Sequence, residues 1–102
     1  MKNLTLMVHA DVEQALADVL RGLKFLPGFS FTRVEGHGAQ DARDPMLSAR
    51  DRVVGYTPHV RVDMVLEDKN LEQVLQTLRA TDCGVVGKGV YWISEVQGHG
   101  RL

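Results

Sequence analysis

The alternation from Pro58 to Leu66 constrains this chain more than any other stretch. Val60, Val62, Met64 and Leu66 share one face, while His59, Arg61 and Asp63 take the other. A strand patterned this way buries one face and leaves the opposite one for a different use. Three further strands can be read around it. Lys2 to His9 sets Leu4, Leu6 and Val8 against Asn3, Thr5, Met7 and His9. Phe29 to Glu35 is rich in strand-forming residues, and so is Val90 to Val96.

Helical spacing fills two of the gaps. Val12, Ala15, Leu16, Val19, Leu20 and Leu23 predict a helix over about 12–23, with Asp11 as its N-cap and Gln14 completing a capping box. Pro27-Gly28 is turn chemistry. Leu71, Val74, Leu75 and Leu78 predict a second helix, capped by Asp68 or Asn70. The order is β-α-β-β-α-β. With right-handed crossovers this is an α+β, ferredoxin-like sandwich with both helices on one face of an antiparallel sheet. The other face would carry Thr5, Met7, Arg61, Asp63 and Val65. It is too mixed for a core and too apolar for plain solvent, which suits a subunit interface.

At 102 residues the chain has room for one domain. Its net charge of -1 argues against general nucleic-acid binding. The first residues alternate and form no apolar block, so neither a signal peptide nor a membrane span is read, and the expected location is the cytoplasm. Cys83 stands alone, which leaves no internal disulfide.

The apolar periodicity lapses from about 37 to 57, between strands two and three. A connection this long inside a small domain is usually functional or disordered. Its base reads Val34-Glu35-Gly36-His37-Gly38-Ala39-Gln40. Glycines there suit unusual backbone angles or a close approach of backbone to a ligand. A second glycine-rich connection, Cys83-Gly84-Val85-Val86-Gly87-Lys88-Gly89, precedes the last strand.

In these segments the chain resembles the PII-like (nitrogen regulatory) signalling proteins over nearly its whole length. The PII pattern has a Gly-x-Gly-x-Gln at the loop base, a Pro-x-Val-x-Ile-type third strand and a glycine-rich segment before the last strand. Here these are Gly36-His37-Gly38-Ala39-Gln40, Pro58-His59-Val60-Arg61-Val62 and Gly84 to Val90. Gly28-Phe29, Tyr91-Trp92 and Gly98-His99-Gly100 make it more similar to a small PII-like family found beside heavy-metal efflux genes of the resistance-nodulation-division type. The resemblance implies a homotrimer whose long T-loops project from the body. It implies a small ligand in the clefts between subunits, and loops docking on a partner such as a metal-efflux transporter in the membrane. Where PII proteins place an Arg and a Lys at the loop base, this chain has Ala39 and His59, and the usual lysine of the glycine-rich segment is Val90. The basic complement is smaller than a triphosphate normally needs.

Two ligand chemistries stay open. An adenine nucleotide or other anion would use Gly36, His37, Gly38, Gln40 and His59 on one wall and Gly87, Lys88 and Gly89 on the other, with Arg101 from the tail. A transition metal would use His37 and His99, and Cys83 would add a soft ligand. Against both stands the plain reading of tight turns in a small fold. Asp41, Arg43, Asp44, Arg50, Asp51 and Arg52 are a solvated loop surface or, functionally, the surface a partner docks on. A small enzyme is a third reading, but no acid–base or nucleophile constellation is evident. Together the residues and the resemblance point to a non-enzymatic regulator.

Overall fold

A computed structural model describes residues 1–37, 56–87 and 89–102. Four strands form a single antiparallel sheet: β1 (Lys2–His9), β2 (Ser30–Gly36), β3 (Thr57–Leu66) and β4 (Val90–Glu95). Two helices complete the sandwich: α1 (Glu13–Arg21) and α2 (Asp68–Ala80). The strand order is β2-β3-β1-β4, so β1 and β3 are central and β2 and β4 are edges. This is the expected ferredoxin-like topology.

The pleat sorts the residues as the alternation requires. Leu4, Val60, Val62, Met64 and Leu66 lose nearly all solvent contact, as do Leu16 and Leu20 of α1 and Val74 of α2. Cross-strand register places Leu6 opposite Val62 and Leu4 opposite Met64, so the two central strands present one continuous apolar surface to the helices.

The start of the first helix differs from the sequence expectation. A 3-10 turn, Ala10–Val12, comes first, and the side chain of His9 caps it by accepting from the Asp11 N–H. Asp11 therefore lies inside the turn and does not cap the α-helix. Gln14 donates to Asp18 instead of closing a capping box. Leu16 and Leu20 of the expected stripe are buried and Val12, Val19 and Leu23 pack partly against the core, while Ala17 takes the buried place expected for Ala15, which is exposed. The second helix starts at Asp68, with Glu67 at the cap position and no side-chain cap bond, so neither Asp68 nor Asn70 caps it. Its stripe of Val74, Leu75 and Leu78 is buried as expected.

Candidate functional site

The sheet brings both glycine-rich segments to one end. Gly36 closes β2 opposite Thr57 at the start of β3, His59 pairs with His9, and Met7 pairs with Val90. The same end therefore carries the base of the 38–55 segment and the connection that enters β4. The two segments sit at opposite edges. Crossing from β2 through β3 and β1 to β4 takes three strand spacings, about 14 Å.

Gly36 has a specific structural reason. A Cβ built on it would lie 2.1 Å from His59 Nδ1 and 3.0 Å from the Thr57 carbonyl oxygen. The close approach that the sequence suggested is made by the protein's own imidazole. His59 Nδ1 lies 3.0 Å from the Thr57 carbonyl oxygen. A carbonyl only accepts, so Nδ1 carries a proton and donates it to this oxygen. The facing imidazole of His9, 6.3 Å away between centroids, has the opposite polarity, because its Nδ1 accepts from the Asp11 N–H. His37, just beyond β2, lies 3.3 Å from Glu35 Oε2, with its ring 5.9 Å from that of Tyr56.

On the opposite edge, Gly84 and Gly87 adopt left-handed backbone (φ +89° and +72°), conformations in which a Cβ is strained. Gly89 lies against Val8 of β1. Gly38, Gln40 and Lys88 fall outside the described residues, as do Asp41, Arg43, Asp44, Arg50, Asp51 and Arg52.

His99 belongs to the other end of the molecule, where it lines a cavity with Met1, Phe25, Pro27 and Glu67. The strand length separates it from His37 by about 30 Å. Arg101, exposed, follows two residues later. One chain therefore does not bring His37 and His99 together, and Cys83 is buried. Among the described residues no group of three or more His, Cys, Asp or Glu side chains is placed to hold a metal ion.

The sheet face that neither α1 nor α2 covers holds a polar cluster whose connectivity the sequence did not reveal. Thr5 is fully buried there and donates to Asp63 Oδ1 at 2.8 Å. Arg61 Nε donates to Asp63 Oδ2 at 2.9 Å, and its guanidinium lies 5.7 Å from the centre of the Trp92 ring. Arg61 and Asp63 thus pair along one strand, two residues apart. The Arg61 hydrogen bond holds the Asp63 carboxyl below its ordinary range, with Thr5 adding to the effect against the cost of partial burial. Asn3 Nδ2 approaches Thr5 Oγ1 at 3.4 Å, and Asn3 Oδ1 is buried without a hydrogen-bond partner among the described residues. The neighbouring strand β4 is exposed throughout, with Val90, Tyr91, Trp92 and Ile93 at 61%, 45%, 42% and 41%.

Fold and site together define a PII-like protein: a βαββαβ sandwich with a long β2–β3 connection whose base lies at the same end of the sheet as a glycine-rich segment on the opposite edge. Comparison with known proteins supports that class. The family model described as "Protein of unknown function (DUF3240)" matches residues 1–102, and the chain belongs to this family. It is also 33% identical over 88 residues to the nitrogen regulatory protein P-II of Rhizobium meliloti (strain 1021), covering 85% of this chain and 74% of that one. The nitrogen regulatory protein GlnK of Escherichia coli (strain K12) is 27% identical over the same length. Among solved structures, a DUF3240 family protein from Shewanella baltica OS155 superposes with a TM-score of 0.76 at 21% identity, covering 99% of this chain and 94% of that one. The ferredoxin-like, PII-like fold is therefore established, and the homologues place the chain among regulatory signalling proteins.

Proposed function

We propose that this chain is a non-enzymatic cytoplasmic regulator that works as a homotrimer, binds a small ligand between subunits and controls a partner through residues 38–55. The observation that carries this reading is the placement of the two glycine-rich segments. They share one end of the sheet but occupy opposite edges, about 14 Å apart. A small ligand touches both only if a neighbouring copy sets its β2 edge beside β4. Such an association is heterologous, and a ring closes it; the resemblance to PII proteins sets the number at three. The exposed apolar run of β4 supports the same geometry, because an edge strand of this composition is an aggregation hazard unless it is covered.

In this arrangement Gly36, His37, Gly38, Gln40 and His59 of one copy face Gly87, Lys88 and Gly89 of the next. A ligand at the loop base favours one state of the connection over others, and that shift of population is the signal. The ligand in this reading is an adenine nucleotide or another anion, and the partner is a membrane transporter of the metal-efflux kind. Deleting residues 38–55 should then end the partnership and leave the trimer intact.

Sedimentation velocity tests the assembly. The expected mass is three times the 11.3 kDa chain, and Trp92→Glu should drive it towards monomer. A wild-type monomer at micromolar concentration overturns the cleft. Parallel calorimetric titrations with ATP and with zinc, repeated on His37→Ala and Lys88→Ala, test the ligand. An anion held by backbone N–H groups and Lys88 should lose more with Lys88→Ala. A metal site should lose nearly all binding with His37→Ala.

A further inference from the structure

A second site lies behind the glycine-rich connection, lined by residues of a single protomer. A cavity of about 270 Å³ opens between the C-terminal half of α2, the loop-proximal half of β1 and the start of β4. Its floor is core: Leu6, Val8, Leu75 and Leu78, each almost wholly buried in the fold. Val85 and Val86 form a wall, and Tyr91 stands at the mouth.

The polar groups of the cavity are few and of one sign. Among the described residues, Arg79 is the one ionisable side chain besides Tyr91 that lines it. Its guanidinium lies 5.9 Å from the centre of the Tyr91 ring, and Nη2 donates to the Tyr91 hydroxyl at 3.4 Å. The other contact, to Glu72, is long at 3.8 Å and lies on the exposed helix surface. A guanidinium has five N–H donors in a fixed fork, so this one keeps donors for an anion at the mouth. An apolar chamber that reaches the core and carries the Arg79 cation at its rim matches a molecule with an apolar body and an anionic head group. The volume is just under the range of about 300–1,000 Å³ usual for ligand pockets, so the occupant is small.

We propose that this cavity binds a small amphiphilic monocarboxylate, with its chain among Leu6, Leu75, Leu78 and Val85 and its carboxylate on Arg79. The cavity borders the proposed cleft through Gly87 and Gly89; the Arg79 and Val86 variants read the cavity, and the His37 and Lys88 variants read the cleft.

Calorimetry with hexanoate, octanoate and decanoate, each below its micelle concentration, tests the proposal, with the alcohols of equal chain length as controls. Affinity for the acids should rise with chain length and exceed that for the alcohols at least tenfold. Arg79→Gln should remove that tenfold preference and leave alcohol binding unchanged. Val86→Trp, a change at an exposed rim position, should fill the mouth and abolish binding of acids and alcohols alike. Equal binding of acids and alcohols to the wild type overturns the assignment, and so does binding that Val86→Trp leaves intact. An absence of acid binding at millimolar concentration also overturns it and leaves the cavity to a protein side chain. Acid binding that appears only on dilution to monomer would show that a second copy fills the cavity, and overturns it too.

Discussion

The two faces of the sheet solve burial in different ways. Beneath the helices, Leu4, Val60, Val62, Met64 and Leu66 are buried by packing against other apolar side chains. On the opposite face Thr5 is just as inaccessible, yet neither α1 nor α2 lies over it. Its neighbours enclose it: Asp63 on β3, Trp92 on β4, and the Arg61 guanidinium that bridges toward the indole. Apolar packing is non-directional and tolerates repacking. A network of charge-assisted bonds is directional, and losing one member leaves the others unsatisfied. The covered face therefore supplies stability, and the uncovered face supplies a fixed surface with defined chemistry.

The largest effect should come from the covered face. Leu4→Ala removes buried methyl groups at the centre of the core and should cost about 2–5 kcal/mol. Urea unfolding would show it as a large fall in midpoint with little change in slope. If the loss is under 1 kcal/mol, the covered face is not the principal source of stability. The next effect belongs to the loop end. Gly36→Ala places a methyl group onto the ring of His59 and should cost about 1–3 kcal/mol through forced repacking. The double variant Gly36→Ala/His59→Ala should recover most of that loss, because the clashing ring is gone; if it recovers none, the glycine serves some purpose other than seating His59.

These two positions also show what the sequence could convey. The core around Leu4 follows from period-two alternation, a local property that any strand of this fold must display. The order of elements then leaves few arrangements, so the sandwich was legible in full. The need for a glycine at position 36 was legible, but the reason for it was not. The His59 ring lies there because β2 and β3 pair in one register, and register is a long-range outcome. The same holds for the Thr5–Asp63–Arg61–Trp92 cluster, which draws on three strands, and for the Arg79 cavity, which needs α2, β1 and β4 together. His37 and His99 illustrate the converse: two residues of matching chemistry that one chain sets at opposite ends of its sheet. The shifted start of α1 turned on the capping of a 3-10 turn by His9, which competed with a plausible capping box one turn later.

A pH experiment sharpens the contrast between the faces, since the side chains buried beneath the helices are apolar apart from the Cys83 thiol, which does not titrate in the acid range. Arg61 holds the Asp63 carboxyl below its ordinary value of 3.8 in the folded state. The unfolded chain then binds the proton more readily. The stabilisation from this group is present in full above about pH 5 and fades as the pH falls through the lowered folded value. Asp63→Asn should reduce stability at neutral pH and flatten the acid limb of the urea-midpoint profile. An unchanged acid limb would show that the Arg61–Asp63 pair contributes nothing, as many exposed pairs do.

The smallest effect should fall on His37, and its smallness is informative. The ring is exposed, and its contacts among the described residues are Glu35 at 3.3 Å and the tilted ring of Tyr56. Neither face of the sheet depends on it. His37→Ala should therefore change stability by no more than about 0.5 kcal/mol, as surface substitutions usually do. A residue that costs the fold so little, beside a glycine fixed by another imidazole, is available for recognition. If His37→Ala lowers ligand affinity at unchanged stability, the loop end holds function that neither face of the sheet requires. If instead it unfolds the protein by several kcal/mol, the side chain packs against structure, and the loop end becomes part of the fold's own scaffold.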